Sequence, residues 1–281
     1  AATPTDSVAL AYMVPKGIDI TLNADVKKAL FSTDSAENVV GKLFVKDGLL
    51  VLQDMRFTTS AAKMQLTAMY KTPRKNHLYV GLDYHMLDVE ISSLLKMIPD
   101  IDSIMPMLRS FAGKGEFHLA VETYMDSMYN LKKSTLRGVS SIKGQDLVLM
   151  DGQTFSEIAK KLLFSRKTTN KIDSVSAEVT IFKNEVDIYP FQIVMDKYKA
   201  VIAGKHNLDM TFDYHISLTD SPLPIKLGVN VTGNLDDMKI RLAKCKYSKL
   251  YRPAQRKEVD KQQLKIRDMI RKALTSRVVE E

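Results

Sequence analysis

Apolar and polar residues alternate one by one through much of this chain, and this period of two constrains its fold more than any other feature. In the stretch from residue 208 to residue 218 every second side chain is apolar: Leu208, Met210, Phe212, Tyr214, Ile216 and Leu218. Successive side chains of a β-strand point to opposite faces of its sheet, so the pattern predicts a strand with one apolar and one polar face. The apolar face must be covered, and periodicity does not say by what.

Similar alternation recurs in segments separated by turn residues. It starts after Gly17, where Ile18 to Val26 alternate with polar residues. Asp47-Gly48 is a typical two-residue hairpin turn, and Lys183-Asn184 is predicted to be another turn. Hairpins in series predict a largely antiparallel meander. The predicted strands span residues 39–46, 49–57, 61–70, 78–86, 131–143, 145–150, 172–182, 185–195, 198–206, 207–218, 225–231 and 238–242.

The period changes in three places, which predicts helices. A helix capped by Asp88 and ended by Pro99 is predicted first, followed by a short helical piece over residues 102–111. Gly113-Lys-Gly115 is then a turn that restarts the sheet. A second amphipathic helix covers about 154–165, and a basic helix with an apolar stripe follows Pro253. The predicted fold is a β-rich α+β protein with an elongated, bent, mostly antiparallel sheet, two short helical insertions and a C-terminal helix.

The positive charge is confined to one end. Of 281 residues with a net charge of +8, residues 239–277 carry fourteen Lys or Arg and three acids, so the rest of the chain has a net charge of about −3. A basic end indicates an attachment point for a membrane or a partner rather than a general affinity for nucleic acid; the alternative is a solvated terminal helix. The predicted contact residues are Lys244, Lys246, Lys249, Arg252, Arg256 and Lys257.

Signatures of catalysis are absent from the sequence. It contains no P-loop, no H-E-x-x-H motif and no G-x-S-x-G elbow. The single cysteine, Cys245, precludes an intramolecular disulfide. The scattered histidines favour solvent-facing strand positions over a metal site, namely His77, His85, His118, His206 and His215. We therefore predict no enzymatic activity, no metal and no cofactor.

The apolar rows remain as the candidate site. These rows can be interpreted as an ordinary sheet core, which alternation alone favours. The alternative interpretation is a groove that accepts acyl chains. The candidate lining residues are Phe117, Leu119, Val121, Val175, Ala177, Val179, Ile181, Leu208, Met210, Phe212, Tyr214, Ile216 and Leu218.

The order of these segments resembles the AsmA-like C-terminal region. A strand and turn from Gly138 to Gly152 lead into a short helix, here residues 155–164. Next come an Ile-x-x-Val-x-Ala strand from Ile172 to Ala177, a strand ending at Pro190, and a Gly-x-x-x-Leu-Asp step at 204–209. The resemblance covers about 88–245, which divides the chain into a β-meander (1–87), the AsmA-like region (88–245) and the basic C-terminal helix (246–281).

This resemblance implies a function that the residues alone do not give. AsmA-like proteins are proteins of the Gram-negative cell envelope, held in the inner membrane by an N-terminal helix with the remainder in the periplasm. They are similar to bridge-like proteins whose long apolar groove conducts phospholipid toward the outer membrane. The expectation is a periplasmic phospholipid-binding protein with envelope proteins as partners, anchored by a helix upstream of residue 1. The alternative is a structural or assembly factor for outer-membrane biogenesis that acts through protein–protein contacts.

Overall fold

A computed structural model describes residues 11–31, 34–97, 111–149, 152–164, 171–195, 197–222, 224, 226–234 and 236–247, together with the single residues 261, 265 and 268. These residues form one antiparallel sheet of thirteen strands whose spatial order is the order of the sequence. The sheet is open and elongated, which confirms the predicted fold class. Its strands are β1 (Asp19–Phe31), β2 (Asp34–Lys46), β3 (Leu49–Thr58), β4 (Lys63–Arg74), β5 (His77–Glu90), β6 (Phe111–Met125), β7 (Arg137–Leu149), β8 (Lys171–Phe182), β9 (Glu185–Met195), β10 (Tyr198–Asn207), β11 (Phe212–Asp220), β12 (Leu227–Gly233) and β13 (Met238–Lys244).

Two short α-helices interrupt the described part of the meander. Helix α1 (Ile91–Met97) follows β5, and helix α2 (Gly152–Lys161) lies between β7 and β8. A single 3₁₀ turn, Lys133–Thr135, precedes β7. Both α-helices occur where the period of two was predicted to break.

The predicted cap of the first helix is wrong. Asp88 lies inside β5 with a positive φ of 53°, and its carboxylate accepts a hydrogen bond from Lys63 Nζ at 2.7 Å. The Glu90 carboxylate, one residue before α1, accepts hydrogen bonds from Ser92 N at 3.3 Å and from Ser92 Oγ at 2.6 Å. The strand therefore continues two residues beyond Asp88 before the helix begins.

The two predicted hairpin turns are confirmed, and a third predicted turn is wrong. Asp47 and Gly48 both adopt positive φ, as a tight two-residue hairpin requires. The turn at Lys183-Asn184 is also present. Gly113-Lys-Gly115 instead lies within β6, where a Cβ at Gly115 would come within 2.7 Å of Lys143 O. These glycines allow close strand packing and do not form a turn.

The predicted single strand over residues 207–218 is also wrong. The chain turns after Asn207, and β11 begins at Phe212. Met210 has a φ of 72°, and the Asp209 carboxylate accepts hydrogen bonds from Thr211 N at 3.1 Å and Thr211 Oγ1 at 2.5 Å. This local turn joins β10 and β11 as a hairpin, so Leu208 and Met210 are turn residues.

Two predictions fall largely outside the described residues. The helical piece at 102–111 does so except for Phe111, which begins β6. Of the C-terminal helix, only Lys261, Lys265 and Asp268 are described, and all three are helical. The sheet runs without interruption through β5, across the predicted boundary at residue 88. The division into sequence units remains a prediction.

Candidate lipid-binding face

One face of the sheet carries an unbroken cross-strand row of residues with one member on every strand. We call this side the apolar face and the opposite side the polar face. Strand pairing places the members of the row side by side from β1 to β13, and all are apolar or glycine except His206. With about 4.8 Å between neighbouring strands, the row is about 58 Å long. Its members are Leu22, Leu43, Leu52, Ala68, Leu82, Val121, Gly138, Ile181, Val186, His206, Phe212, Gly233 and Met238.

The candidate lining residues on β6, β8 and β11 all belong to the apolar face. Leu119, Val179 and Tyr214, for example, lie in a second cross-strand row that runs through Ser140, Ile188 and Gly204. Six of the candidates are buried, namely Phe117, Ala177, Val179, Ile181, Tyr214 and Leu218. The others are half-buried, namely Leu119, Val121, Val175, Leu208, Met210, Phe212 and Ile216. The structure thus places the strand residues on one face, but none is freely exposed.

Helix α1 covers part of the apolar face. Leu94 is 1% exposed and packs with Met64, Met86 and Phe117. Ile91, at the start of the same helix, packs with a neighbouring group on β7 to β10 that includes Phe191. This part of the face is a covered core, as expected if the alternating apolar residues form an ordinary sheet core.

Helix α2 and the turn after it cover a second part, near the other end of the sheet. Leu162, immediately after α2, is 1% exposed and packs with Leu218, Val229 and their neighbours. The ring of Phe164 stacks on that of Tyr198 with centroids 4.2 Å apart. Here too the apolar side chains of the sheet have a helical cover.

Between these regions lies a cluster that contains no helical residue among those that the structure describes. Val179, Ile181 and Val186 are buried there together with Leu136, and Leu208 packs against them from the β10–β11 turn. Ser140 Oγ lies on the same face, fully buried and without a hydrogen-bond partner among the described residues. Its described members come from the strands β6, β8 and β9, the turn before β7 and the β10–β11 turn.

The apolar face is most exposed at the first and last strands. On β1, Ile20 is 42% and Leu22 54% exposed; on β13, Leu242 is 60% exposed. Equivalent residues on inner strands are half-buried or buried, because they have a neighbour on each side. The sequence analysis recognised the alternation in β1 but did not include its residues among the lining candidates. Edge position, which period alone does not reveal, was the missing information.

The polar face carries hydrogen-bonded histidine–carboxylate pairs in its centre. His85 and His118 are opposite each other on β5 and β6. His85 Nε2 lies 2.8 Å from Glu116 Oε1, and His118 Nε2 lies 2.5 Å from Asp83 Oδ1. The hydrogen bond to His85, with a further contribution from Lys143, lowers the pKa of Glu116. Both histidines lie on the polar face, but His118 is buried, as are His206 and His215, so the predicted solvent-facing position is wrong for these three.

The polar face also contains a buried apolar cluster, which was not predicted. Val51, Met69, Ala120 and Val139 are each at most 2% exposed and pack together, with Tyr79 against them. The Tyr79 hydroxyl donates a hydrogen bond to Glu122 Oε2 at 3.1 Å. Apolar residues at these positions break the strict alternation of their strands, and this was the available signal.

The predicted basic contact residues are only partly described. Lys244 at the end of β13 and Lys246 are exposed. Lys249, Arg252, Arg256 and Lys257 lie outside the described residues. Cys245 is half-buried, and its Sγ is 3.5 Å from the carbonyl oxygen of Tyr247.

Metal-binding clusters and membrane-spanning helices are both absent from the described ranges. No group of three or more His, Cys, Asp or Glu side chains is placed to hold a metal ion there. Likewise, none of the helices in the part of the chain that the structure describes has the length and apolar character needed to cross a bilayer.

Comparison of the chain with protein-family models, with curated proteins and with solved structures yields no match.

Proposed function

We propose that the protein is a non-catalytic lipid-binding protein whose apolar face holds and conducts phospholipid acyl chains. The observation that carries this proposal is the row from Leu22 to Met238, which is continuous over all thirteen strands. Apolar side chains beside an acyl chain remove its methylenes from water, at about 0.8 kcal/mol for each methylene buried. Because the next strand offers an equivalent surface, the chain moves along the row with little change in free energy.

The uncovered ends of the row are the proposed points of entry and exit. Leu22 and Ile20 at β1, and Leu242 at β13, are exposed, while the equivalent residues on inner strands are half-buried or buried. In the interior, acyl chains would follow the cluster around Val179 and Ile181, which includes no residue of the two described α-helices. Helices α1 and α2 would stay in place over their own parts of the face, or move aside to admit lipid.

The cellular setting is proposed from the resemblance to AsmA-like proteins. We place the protein in the periplasm of a Gram-negative envelope, held at the inner membrane by an upstream helix, with phospholipid moving between the two membranes. The exposed ammonium groups of Lys244 and Lys246 suit contact with anionic headgroups. Inner-membrane and outer-membrane envelope proteins are the proposed protein partners.

A second candidate function is supported by the edges of the sheet. Among the described strands, β1 and β13 each pair on one side only. An extended segment of an envelope protein could add to either edge through backbone hydrogen bonds, with apolar residues continuing the row. This would make the protein an assembly factor for outer-membrane biogenesis that binds proteins rather than lipid.

Lipid extraction and native mass spectrometry of the purified chain test the proposal. We expect co-purified phospholipid, and we expect Leu22→Glu to reduce its amount because a carboxylate then interrupts the row. Asn23→Glu is the matched control, since residue 23 is the next residue of β1 and faces the polar side. Absence of phospholipid from the wild type, or equal loss in both variants, would contradict lipid conduction. A bound peptide or protein in place of lipid would favour the assembly function.

A further inference from the structure

The chain turns back onto the sheet after β13 and crosses the polar face of β11. We call residues 245–247 the crossing segment. Lys246 N donates a hydrogen bond to Ser217 Oγ at 2.9 Å, and Tyr247 N donates to the same oxygen at 3.0 Å. Ser217 is fully buried. One hydroxyl thus fixes two consecutive backbone amides of the crossing segment.

His215 completes this arrangement. Its Nδ1 lies 2.6 Å from Asn230 Oδ1, and its Nε2 lies 2.9 Å from Ser217 Oγ. The ring of Tyr247 meets the imidazole edge-on, with centroids 5.9 Å apart. Gly228 provides room for the ring, because a Cβ there would come within 2.8 Å of His215 Cε1.

While the crossing segment is bound to Ser217, the hydrogen bonds determine which atoms of His215 and Ser217 carry a hydrogen. With the amide oxygen of Asn230 facing Nδ1, this nitrogen carries the hydrogen, and Nε2 of the neutral ring is an acceptor. Ser217 Oγ already accepts from two backbone amides, so its own hydrogen is donated to Nε2. Lys246 N is also directed at Nε2, at a longer 3.4 Å. Every group is satisfied only while the imidazole is neutral.

We propose that protonation of His215 releases the crossing segment from the polar face of the sheet. A proton on Nε2 removes the acceptor of the Ser217 hydroxyl. The new N–H also meets an oxygen whose two lone pairs are already used, so one donor must lose its partner. The inference does not depend on whether the apolar face binds lipid.

The charges around the imidazole set the direction of the response. Burial is the largest influence and lowers the pKa of His215; Lys246 on the crossing segment lowers it further, while the Asn230 hydrogen bond and Asp213 on β11 raise it. Lys205 on β10 is paired with Asp213 in register, and Arg241 on β13 is paired with Asn230. Cys245 and Tyr247 are the other titratable groups of the crossing segment.

The sign of the pH dependence follows from this lowered pKa. In the open arrangement the crossing segment is released from Ser217, and in the closed arrangement it is bound there. His215 binds a proton more readily in the open arrangement, so closure is complete above pH 6.5, the unperturbed pKa of histidine. Closure weakens as the pH falls from the pKa of the open arrangement to the lower pKa of the closed one, by at most about tenfold per pH unit, and then levels off. Acid therefore frees the crossing segment, and neutral pH holds it.

Hydrogen exchange of the full chain between pH 7.5 and 4.5 tests the proposal. After correction for intrinsic rates, we expect the amides of Lys246 and Tyr247 to lose protection over the pH range in which His215 titrates, by at most about tenfold per pH unit. In His215→Asn this response should disappear, whereas His77→Asn, at a histidine outside this cluster, should keep it. Ser217→Ala should expose both amides at every pH.

NMR titration of the wild-type protein tests the same proposal without a substitution that could itself disturb the fold. The midpoint of the His215 Cε1–H titration should coincide with that of the Lys246 and Tyr247 amide shifts. Protection that is unchanged down to pH 4.5, an unaltered response in His215→Asn, or separate midpoints would each overturn the proposal.

Discussion

Gly204 determines how closely β10 and β11 pack in the middle of the apolar face. A Cβ at this position would lie 2.3 Å from Asp213 O and 2.5 Å from Tyr214 Cδ1, and φ is 157°. The obstructing carbonyl belongs to the neighbouring strand and cannot move without breaking the register. The same close approach places Tyr214 where its hydroxyl reaches His206 Nδ1 at 2.7 Å.

We expect Gly204→Ala to lower the free energy of unfolding by about 1–3 kcal/mol, as overpacking of a dense core typically does. Urea denaturation measures the loss. Gly81→Ala is the matched control on β5, because its Cβ would touch only the movable side chain of Tyr79, with the hydroxyl at 3.0 Å. A cost in Gly204→Ala no larger than in this control would contradict the proposed packing.

Glu116 gives the polar face a predictable dependence on pH. The hydrogen bond to His85 and the charge of Lys143 lower its pKa in the folded chain. The unfolded state therefore binds the proton more readily, so the contribution of Glu116 to stability is complete above its unfolded pKa near 4.5 and is lost as pH falls through the lower folded value.

Glu116→Gln should accordingly flatten the dependence of unfolding free energy on pH below about 4.5, as chemical denaturation at a series of pH values would record. Glu37→Gln, at an exposed carboxylate on β2, serves as control and should leave the slope unchanged. An identical slope in wild type and Glu116→Gln would show that the His85 contact does not persist in solution.

At the scale of elements, α1 is held to the sheet by a few apolar side chains. A helix of seven residues is too short to be stable alone in water, so its packing must stabilise it. Leu94 supplies the most buried of these contacts, against Met64, Met86 and Phe117.

Leu94→Ala should cost about 2–5 kcal/mol in thermal or urea unfolding, the range for truncation of a buried leucine. Lys96→Ala, on the exposed side of the same helix, should change stability by less than about 0.5 kcal/mol. If Leu94→Ala were equally neutral, α1 would not be a fixed cover of the apolar face, and the uncovered area available to lipid would be larger.

The strands were more predictable than the turns between them. Alternation depends on side chains that point to opposite faces, and it located β3, β8 and β9 within one residue at either end. The break at residues 208–211 was missed because Leu208 and Met210 continue the apolar phase. Asp209 and Thr211 were the available signal, since a carboxylate two residues before a threonine can close a local turn.

The sequence predicted which residues of the candidate site share one side of the sheet, but not which of them are exposed. Period alone assigned Val179, Ile181 and Phe212 to one side of the sheet, because that assignment is local. Which of these residues α1 and α2 cover depends on contacts between distant segments, such as Leu162 with Leu218. The exposure of Leu22 likewise depends on β1 lying at an edge, which its own sequence does not encode.

At the scale of the whole molecule, the sheet is a linear array. Among the described strands, each forms its extended contacts with the strands next to it in sequence, from β1 and β2 to β12 and β13. Stability in such an array is close to a sum of nearest-neighbour terms, so a local loss need not spread to distant strands. Under the proposed function, this property would let the face admit a lipid at one place while the rest of the sheet stays folded.

Hydrogen exchange in Gly204→Ala tests the independence of distant strands. We expect faster exchange in β9, β10 and β11, whose pairing Gly204 supports, and wild-type rates in β1, β2 and β3, which share no strand boundary with them. Gly81→Ala should leave β10 and β11 unchanged. Equal acceleration in every strand would mean that the sheet opens as one cooperative unit. Lipid could then enter only at the permanently exposed ends near Leu22 and Leu242, because opening the centre would require unfolding the whole sheet.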